Sequence, residues 1–329
     1  MRGELQTGLN LAEQLLDLAQ GAQDPGLLLQ AHYALGRAHA FLGDWATAKT
    51  HLEQAIACYD RRQHGSHAFL YGGHDPCASS MGYAAHSLWM LGYPEQALQR
   101  GREALALARE LGHPASLGHT QYLVAVLHQY RRDVTETLEL AEELQGLAAD
   151  QGLLIHLAAA SVLRGWALVE RGRSEEGMAQ IRQGLATGEP TRVHLRAHSL
   201  ALSAEAWGKE GNLTEGLAEL AKAFTLVEKT GIRSFEPELH RLKGEFLLAL
   251  HPENPADAEA SFRQAVAIAR HQQAKALELR ATMSQARLWQ RQGRRDEARD
   301  ALAAVYGTYT EGFTTPDLVD AAAQLDHLA

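Results

Sequence analysis

The sequence predicts an all-α protein, a right-handed α-α superhelix of about seven helical hairpins with an unpaired helix before them and a capping helix after them. Three observations predict this fold. The composition favours helices, a pair of small residues recurs at a fixed spacing, and turn residues lie between the two members of most pairs.

The composition is that of a globular helical protein. Hydrophobic residues make up 46% and charged residues 22% of the 329 residues, whereas aromatic residues make up only 6%. Alanine and leucine are abundant, and both have high helix propensity. The formal net charge is −9, without the basic excess of a nucleic-acid-binding domain. We therefore expect a helical protein with no nucleic-acid partner.

Cysteine usage and hydropathy predict a cytoplasmic protein. The two cysteines, Cys58 and Cys77, are too few for a disulfide framework in a chain of this length, and they are typical of a reducing compartment. No apolar run approaches the roughly 18 residues that a membrane-spanning helix needs. We expect no membrane partner.

The recurring small residues indicate close helix crossings. Two antiparallel helices approach closely only where each presents a small side chain, and a tight turn fixes the spacing of those positions at twelve residues. The spacing is longer only in the sixth pair, where Pro252 and Pro255 lengthen the turn. The pairs are Gly36 and Ala48, Ala85 and Ala97, Ala125 and Thr137, Gly165 and Gly177, Ala204 and Gly216, Gly244 and Ala258, and Ala286 and Ala298.

Turn residues separate the two helices of the other six hairpins. Glycine just past a helix end adopts the left-handed conformation at little cost. These turns are Gly43-Asp44, Gly92-Tyr93-Pro94, Arg132-Asp133, Gly172-Arg173, Gly211-Asn212 and Gly293-Arg294. Seven pairs in register, with turns between them, favour a repeat over an ordinary helical bundle with chance alanine pairs.

The pattern resembles the tetratricopeptide repeat. That family has small residues at three positions of each repeat and an aromatic or large apolar residue at three others. The last of these is held here by Leu52, Ala141, Ile181, Leu220, Phe262 and Leu302, whereas Gly101 departs from it. Here the repeat is close to 40 residues instead of about 34. The resemblance implies one solenoid domain over 1–329, with repeats at approximately 29–62, 78–112, 118–151, 158–190, 197–231, 237–272 and 279–312.

Four segments carry a second, more specific resemblance. They are YGGHDPCASSMGYAAHSLWMLGYPEQAL, EPELHRLKGEFLLAL, DAEASFRQAVAIARHQQAKALELRA and VYGTYTEGFTTPDL. They look like the C-terminal helical region of bacterial multidomain proteins that join a nucleotide cyclase domain to a signalling ATPase. The resemblance implies a regulatory or scaffolding tail. The chain has no GxxxxGK[ST] phosphate loop, so neither activity is assigned and no cofactor is expected.

The segment 62–78 is predicted to be an inserted loop between the first two repeats. It is rich in glycine and histidine, and loops of this length in compact repeats are often functional. Its candidate residues are His67, Tyr71, His74 and Asp75. Convergent histidines and a carboxylate can bind zinc, but this spacing matches no established ligand motif, and we expect no metal site. The alternative is that the loop folds over the first two repeats, where its histidines hydrogen-bond carbonyls or helix ends.

The two ends of the chain differ from the repeats. Residues 4–20 are predicted to form a helix without a partner before it, like the second helix of an incomplete repeat. An N-terminal edge of this kind suggests a fragment of a longer chain or self-association. Residues after Thr315-Pro316 are predicted to form a closing helix.

The first helix of each hairpin is expected to line a concave groove. Residues three before, one after and four after the first small position should face it. The candidate groove residues are Tyr33, Arg37, His86, Trp89, Tyr122, Gln129, Trp166, Glu205, Arg241, Glu245 and Arg287. Such a groove suits a peptide or an amphipathic helix, although the tryptophans could instead belong to the core.

The sequence therefore predicts a protein-interaction scaffold or regulatory module that holds a peptide or a neighbouring domain. The alternative is a small-molecule sensor with a pocket formed by the groove and the 62–78 loop. Catalysis is not expected, because HDPCASS contains suitable residue types but no recognisable nucleophile or oxyanion arrangement.

Overall fold

The computed structural model of the chain describes residues 2–187 and 193–329, and every element in these ranges is helical. The helices are α1 (Arg2–Ala22), α2 (Pro25–Leu42), α3 (Trp45–Cys58), α4 (Arg61–His64), α5 (Pro76–Met90), α6 (Pro94–Leu111), α7 (Pro114–Arg131), α8 (Val134–Asp150), α9 (Leu154–Glu170), α10 (Ser174–Thr187), α11 (Val193–Lys209), α12 (Leu213–Thr230), α13 (Glu236–Leu250), α14 (Ala256–His271), α15 (Lys275–Arg291), α16 (Arg295–Tyr306) and α17 (Pro316–Leu328).

Seven antiparallel hairpins form a right-handed α-α superhelix, which confirms the predicted fold class. They are α2/α3, α5/α6, α7/α8, α9/α10, α11/α12, α13/α14 and α15/α16. Their first helices begin a few residues before the expected repeat boundaries. The end of the fourth expected repeat, 188–190, lies outside the described residues.

The small residues lie where the paired helices cross. A Cβ atom added to Gly165 would lie 2.6 Å from the carbonyl oxygen of Gly177, and one added to Gly177 would lie 2.6 Å from the oxygen of Gly165. In the first hairpin, a Cβ atom on Gly36 would meet Leu52 at 2.5 Å. The backbones thus approach more closely than any side chain at these positions would permit.

Six hairpins turn through a residue in the left-handed conformation. Glycine holds it in five of them, and the third hairpin uses Arg132, with φ of 63°. In the first hairpin the next residue, Asp44, caps the second helix by accepting from the N–H of Thr47 at 3.3 Å. The glycines are Gly43, Gly92, Gly172, Gly211 and Gly293.

The superhelix is wound so tightly that its first hairpins contact its last ones. The N–H of Arg233, just after α12, donates to the carbonyl of Phe41 at the end of α2 (2.8 Å). Further along, the Glu311 carboxylate accepts from the backbone N–H groups of Glu95 (2.9 Å) and Gln96 (3.1 Å) at the start of α6. The concave side is therefore largely enclosed by the protein itself.

The two terminal helices take different roles. α1 packs on α2 and reaches across to α12, while its Leu11 and Leu18 are 59% and 70% exposed. α17 packs on α15 and α16 and closes the end of the stack. It also contacts the third hairpin through Arg132, which pairs with Asp317 at 3.2 Å.

The 62–78 segment is more regular than the predicted loop. It contains the end of α4 and a π-helical turn, Ala68–Gly72, before α5 begins. Its residues lie between α2 and the start of α7, where the ring of Phe69 packs on that of His113 with centroids 4.7 Å apart. Phe69 and Tyr71 remain 75% and 57% exposed.

None of the described helices combines the length and the apolar character that a membrane span requires.

Candidate binding cavity

A polar cavity of about 270 Å³ lies inside the C-terminal half of the superhelix. Residues spaced about one helical turn apart on α9, α11, α13 and α15 form its walls, because residues three or four apart share a face of a helix. Phe235 and the start of α17 close it. The polar residues that line it are Gln129, Arg132, Trp166, Glu170, Glu205, Lys209, Glu238, Arg241, Arg280, Ser284, Arg287, Asp317 and Asp320.

Arg241 and Glu238 form a bidentate ion pair on one wall. The guanidinium donates to both carboxylate oxygens, at 2.6 and 2.9 Å. Burial alone would raise the pKa of Glu238, but Arg241 outweighs it and the pKa is lowered. Both groups are thus charged at neutral pH and fixed in position.

Glu245 links α13 to α15 beside this wall. Its carboxylate accepts from the Ser284 hydroxyl at 2.6 Å and from the Arg287 guanidinium at 2.7 Å. Although burial raises the pKa of Glu245, Arg241 and Arg287 together lower it. Consecutive first helices are therefore joined by ionic contacts along the cavity.

On the opposite wall, α9 and α11 are joined by two polar contacts. The indole Nε1–H of Trp166 donates to Glu205 at 2.8 Å, and Lys209 pairs with Glu170 one turn further on. Burial raises the pKa of Glu205, and the neighbouring Glu238 and Glu170 raise it further. This carboxylate thus has no ion pair of the kind that stabilises the other carboxylates lining the cavity.

The last helix, α17, forms a third wall of the cavity. Asp317 on α17 accepts from Arg280 Nε at 2.7 Å and from Arg132 at 3.2 Å, and Asp320 accepts from Arg132 at 2.6 Å. Arg280 also donates to the carbonyl of Tyr130 at the end of α7. The closing helix is thereby part of the cavity and not only a cap.

The structure brings together five of the predicted groove residues at this cavity and places a sixth beside it. Gln129, Trp166, Glu205, Arg241 and Arg287 line it. Glu245 contacts the side chains of Ser284 and Arg287.

Three other predicted groove residues lie in the aromatic interior of the N-terminal half. His86 and Tyr122 line a cavity of only about 50 Å³ that Phe235 and Tyr130 help to fill, and Trp89 is buried beneath Arg131. The concave face is thus filled here, since the tight winding brings the segment around Phe235 against it.

Two predicted groove residues lie on α2 near the inserted segment. The Tyr33 hydroxyl bonds His74 Nε2 at 2.8 Å, and the Arg37 guanidinium lies 5.5 Å from the centroid of the Tyr33 ring. Tyr33 therefore joins the first repeat to the insertion, away from the polar cavity.

The candidate residues of the insertion also make internal contacts. His67 Nδ1 bonds the Gln30 amide at 3.0 Å. Asp75 is buried and caps α5, because its Oδ1 accepts from the N–H groups of Cys77 and Ala78. Tyr71 is exposed. Within the two described ranges, no three His, Cys, Asp or Glu side chains are grouped to hold a metal ion.

Several lining residues were not among the predicted ones. Glu170 and Lys209 lie one turn beyond the predicted positions of Trp166 and Glu205, so extending each stripe by a turn would have found them. Arg280, Asp317 and Arg132 meet only because distant repeats come together. For Arg132, the sequence contained one local signal of an unusual role, since an arginine stands at a turn position where five other hairpins have glycine.

No known family model and no curated protein matches the chain. The resemblance to the cyclase-linked helical region therefore stays an expectation. Solved structures match the fold. A Rap protein complexed with competence and sporulation factor has a TM-score of 0.63 and 11% identity, covering 98% of this chain and 82% of that one.

Two further solved structures are similar over nearly the whole chain. NprR in complex with its cognate peptide NprX has a TM-score of 0.60 and 12% identity, covering 99% of this chain and 98% of that one. The Rap conjugation gene regulator of plasmid pLS20, in complex with the Phr* peptide, has a TM-score of 0.61 and 10% identity, covering 94% and 77%. The chain shares the tetratricopeptide-like helical repeat fold of these proteins.

Proposed function

We propose that the chain is a non-catalytic regulatory module that binds a peptide, or an extended segment of a neighbouring domain, in the polar cavity. The observation that carries the proposal is the convergence of charged side chains from several repeats on one cavity. Groups held in fixed positions recognise a ligand without the entropic cost of ordering them on binding.

Two further observations support a peptide as the ligand. The Rap regulator of plasmid pLS20 and NprR were solved with the Phr* peptide and the peptide NprX, and the other Rap protein was solved with competence and sporulation factor. Arg132 also keeps an unfavourable backbone conformation beside the cavity. Residues that break a local rule of structure cluster at functional sites.

The resemblance found in the sequence extends this proposal to a bacterial signalling protein. The module would act as a regulatory tail in the cytoplasm, with a peptide or another domain of a longer parent chain as its partner. Neither nucleic acid nor a membrane is part of the proposal.

A small-molecule sensor is the second candidate function. The cavity volume of about 270 Å³ lies just below the usual range for ligand pockets, which begins at roughly 300 Å³. The pocket would differ from the expected one, because no residue of 62–78 lines this cavity. A thermal-shift screen with metabolites tests it, since a ligand that binds only the folded state raises the melting temperature.

Selection from a random hexapeptide library tests the peptide proposal. We expect selected peptides to bind at micromolar or lower dissociation constants and to lose at least tenfold in affinity with Arg287→Ala. Arg263→Ala is the matched control, because Arg263 is an exposed arginine on the second helix α14, away from the cavity. Equal affinity of both variants, or no selected binder, would contradict the proposal.

Self-association through α1 is a separate possibility. Leu11 and Leu18 lie seven residues apart on one face of α1 and are exposed. Light scattering of Leu11→Gln/Leu18→Gln tests it, and a mass equal to that of the wild type would count against this interface.

A further inference from the structure

One of the carboxylates that line the polar cavity is not paired with a cation. Five cationic side chains line it, and each is paired with a carboxylate of the protein. The pairs are Arg132 with Asp317 and Asp320, Lys209 with Glu170, Arg241 with Glu238, Arg280 with Asp317, and Arg287 with Glu245.

Glu205 is the carboxylate outside these pairs. Among the side chains that the structure describes, no nitrogen of an arginine, lysine or histidine lies close enough to form an ion pair with it. Its one polar contact under 3.5 Å among them is the neutral indole N–H of Trp166. A neutral donor stabilises a carboxylate less than a cationic one does. The Glu205 carboxylate thus has no cation paired with it inside the cavity.

The groups around Glu205 favour the binding of a cation next to its carboxylate. Glu238 and Glu170 are near enough to raise its pKa in addition to the effect of burial, whereas Arg241 is engaged with Glu238 and lowers it only partly. Trp166 and Phe235 contribute aromatic rings to the same cavity. Aromatic faces attract cations, and arginine guanidinium groups in particular.

We infer that the cavity binds a basic side chain of its ligand, with the guanidinium or ammonium group seated on the Glu205 carboxylate beside Trp166. This inference rests on the proposed function and names the chemical class of the peptide. A volume of about 270 Å³ leaves room for one long side chain.

The arrangement disfavours an anionic ligand. An anion would have to displace a carboxylate from one of these six pairs and leave it unpaired, which is costly. A cation at Glu205 needs no such rearrangement, because it completes a contact that the protein leaves open. The ionic network therefore selects for positive charge.

A double-mutant cycle tests the inference. Peptides selected on the wild-type protein are expected to contain lysine or arginine at one position. Replacing that arginine by citrulline, its neutral isostere, should weaken binding at least tenfold. Glu205→Gln should cause a similar loss for the arginine peptide but little further loss for the citrulline peptide, which is the signature of a direct contact.

Two controls separate this contact from a folding defect. Glutamine at 205 can still accept from Trp166, so Glu205→Gln should keep the wild-type circular dichroism spectrum and melting temperature. Glu215→Gln on the exposed face of α12, in the same hairpin, should not change affinity for either peptide.

Each outcome decides one of the two claims. Selected peptides that lose affinity with Arg287→Ala but show no basic residue and no response to Glu205→Gln would overturn the inference and leave the proposed function standing. If the library yields no binder, the proposed function fails. Tryptophan fluorescence then tests the inference alone, with the contribution of Trp166 taken as the part that Trp166→Phe removes. n-Butylguanidinium is expected to change this contribution, and n-butylurea, or either probe with Glu205→Gln, is expected not to. No response to n-butylguanidinium would overturn it.

Discussion

Arg132 occupies a turn position at which five other hairpins have glycine. Its φ of 63° places a side-chain-bearing residue in the left-handed region, which costs about 1–2 kcal/mol. Its half-exposed guanidinium pairs with Asp317 and Asp320, and such pairs contribute about 0–1 kcal/mol. The arginine is therefore explained better by the cavity than by stability.

Replacing this arginine by glycine should separate its effect on stability from its effect on peptide binding. We expect Arg132→Gly to leave the free energy of unfolding unchanged or to raise it by up to about 1 kcal/mol, because glycine adopts the turn freely. Peptide binding should weaken. Urea denaturation measures the first effect, and a loss above about 2 kcal/mol would show that the ion pairs outweigh the backbone strain.

Gly165 illustrates the steric requirement at a helix crossing. A Cβ atom there would lie 2.6 Å from the Gly177 oxygen and 2.9 Å from the Ile181 nitrogen, and neither backbone atom can move freely. We expect Gly165→Ala to destabilise the protein by about 1–3 kcal/mol through overpacking. Thermal or urea unfolding measures it.

The matched control is Gly146 on α8. A Cβ atom there meets nothing within 4 Å, so Gly146→Ala should stabilise the protein by roughly 0.5–1 kcal/mol through helix propensity. Equal effects of the two substitutions would contradict the close crossing.

At the scale of the elements, one buried carboxylate fixes the start of α17, whose apolar face packs in the core. Asp317 and Arg280 have side chains that are 7% and 11% exposed, and they pair at 2.7 Å. Removing one partner of a buried pair leaves the other uncompensated, so Asp317→Ala should cost about 3–5 kcal/mol. Asp320→Ala, one turn away and half exposed, should cost at most about 1 kcal/mol. Chemical denaturation of both variants measures the difference.

The hairpins could be predicted from sequence because their signals are local. Gly165 and Gly177, or Gly43 at its turn, act within one repeat. The contact between distant hairpins could not be predicted from the sequence, because Phe41 and Arg233 meet only through small rotations that accumulate over several repeats. For the same reason, the sequence predicted only some of the residues that line the cavity. Glu205 and Arg241 lie at positions that the repeat defines, whereas Asp317 comes from a helix outside the repeats.

At the scale of the whole molecule, buried histidines should make stability depend on pH. Burial lowers the pKa of His86 to about 4 and that of His198 to about 3, and each ring is neutral in the fold. In the unfolded chain the usual value is about 6.5, so the unfolded state binds more protons below that pH. Stability should therefore be greatest above pH 6.5 and be lost as the pH falls towards about 4.

Unfolding by urea at a series of pH values tests this expectation. His86→Gln should flatten the dependence between pH 6.5 and 4, although it will lower stability at neutral pH because His86 Nε2–H donates to the Leu123 carbonyl at 2.7 Å. His251→Gln, at an exposed position, should leave the slope unchanged. An equal slope in all three proteins would assign the acid sensitivity to other groups.

The contact between Glu311 and the start of α6 joins residues more than 200 positions apart in the chain. In open repeat arrays each unit is stabilised only by its neighbours, so the array can melt from its ends. Here the last turns of the chain complete the surroundings of the second and third hairpins. We therefore expect the protein to unfold cooperatively in one transition and to fold slowly for a helical protein, because contacts between residues this far apart in the sequence must form.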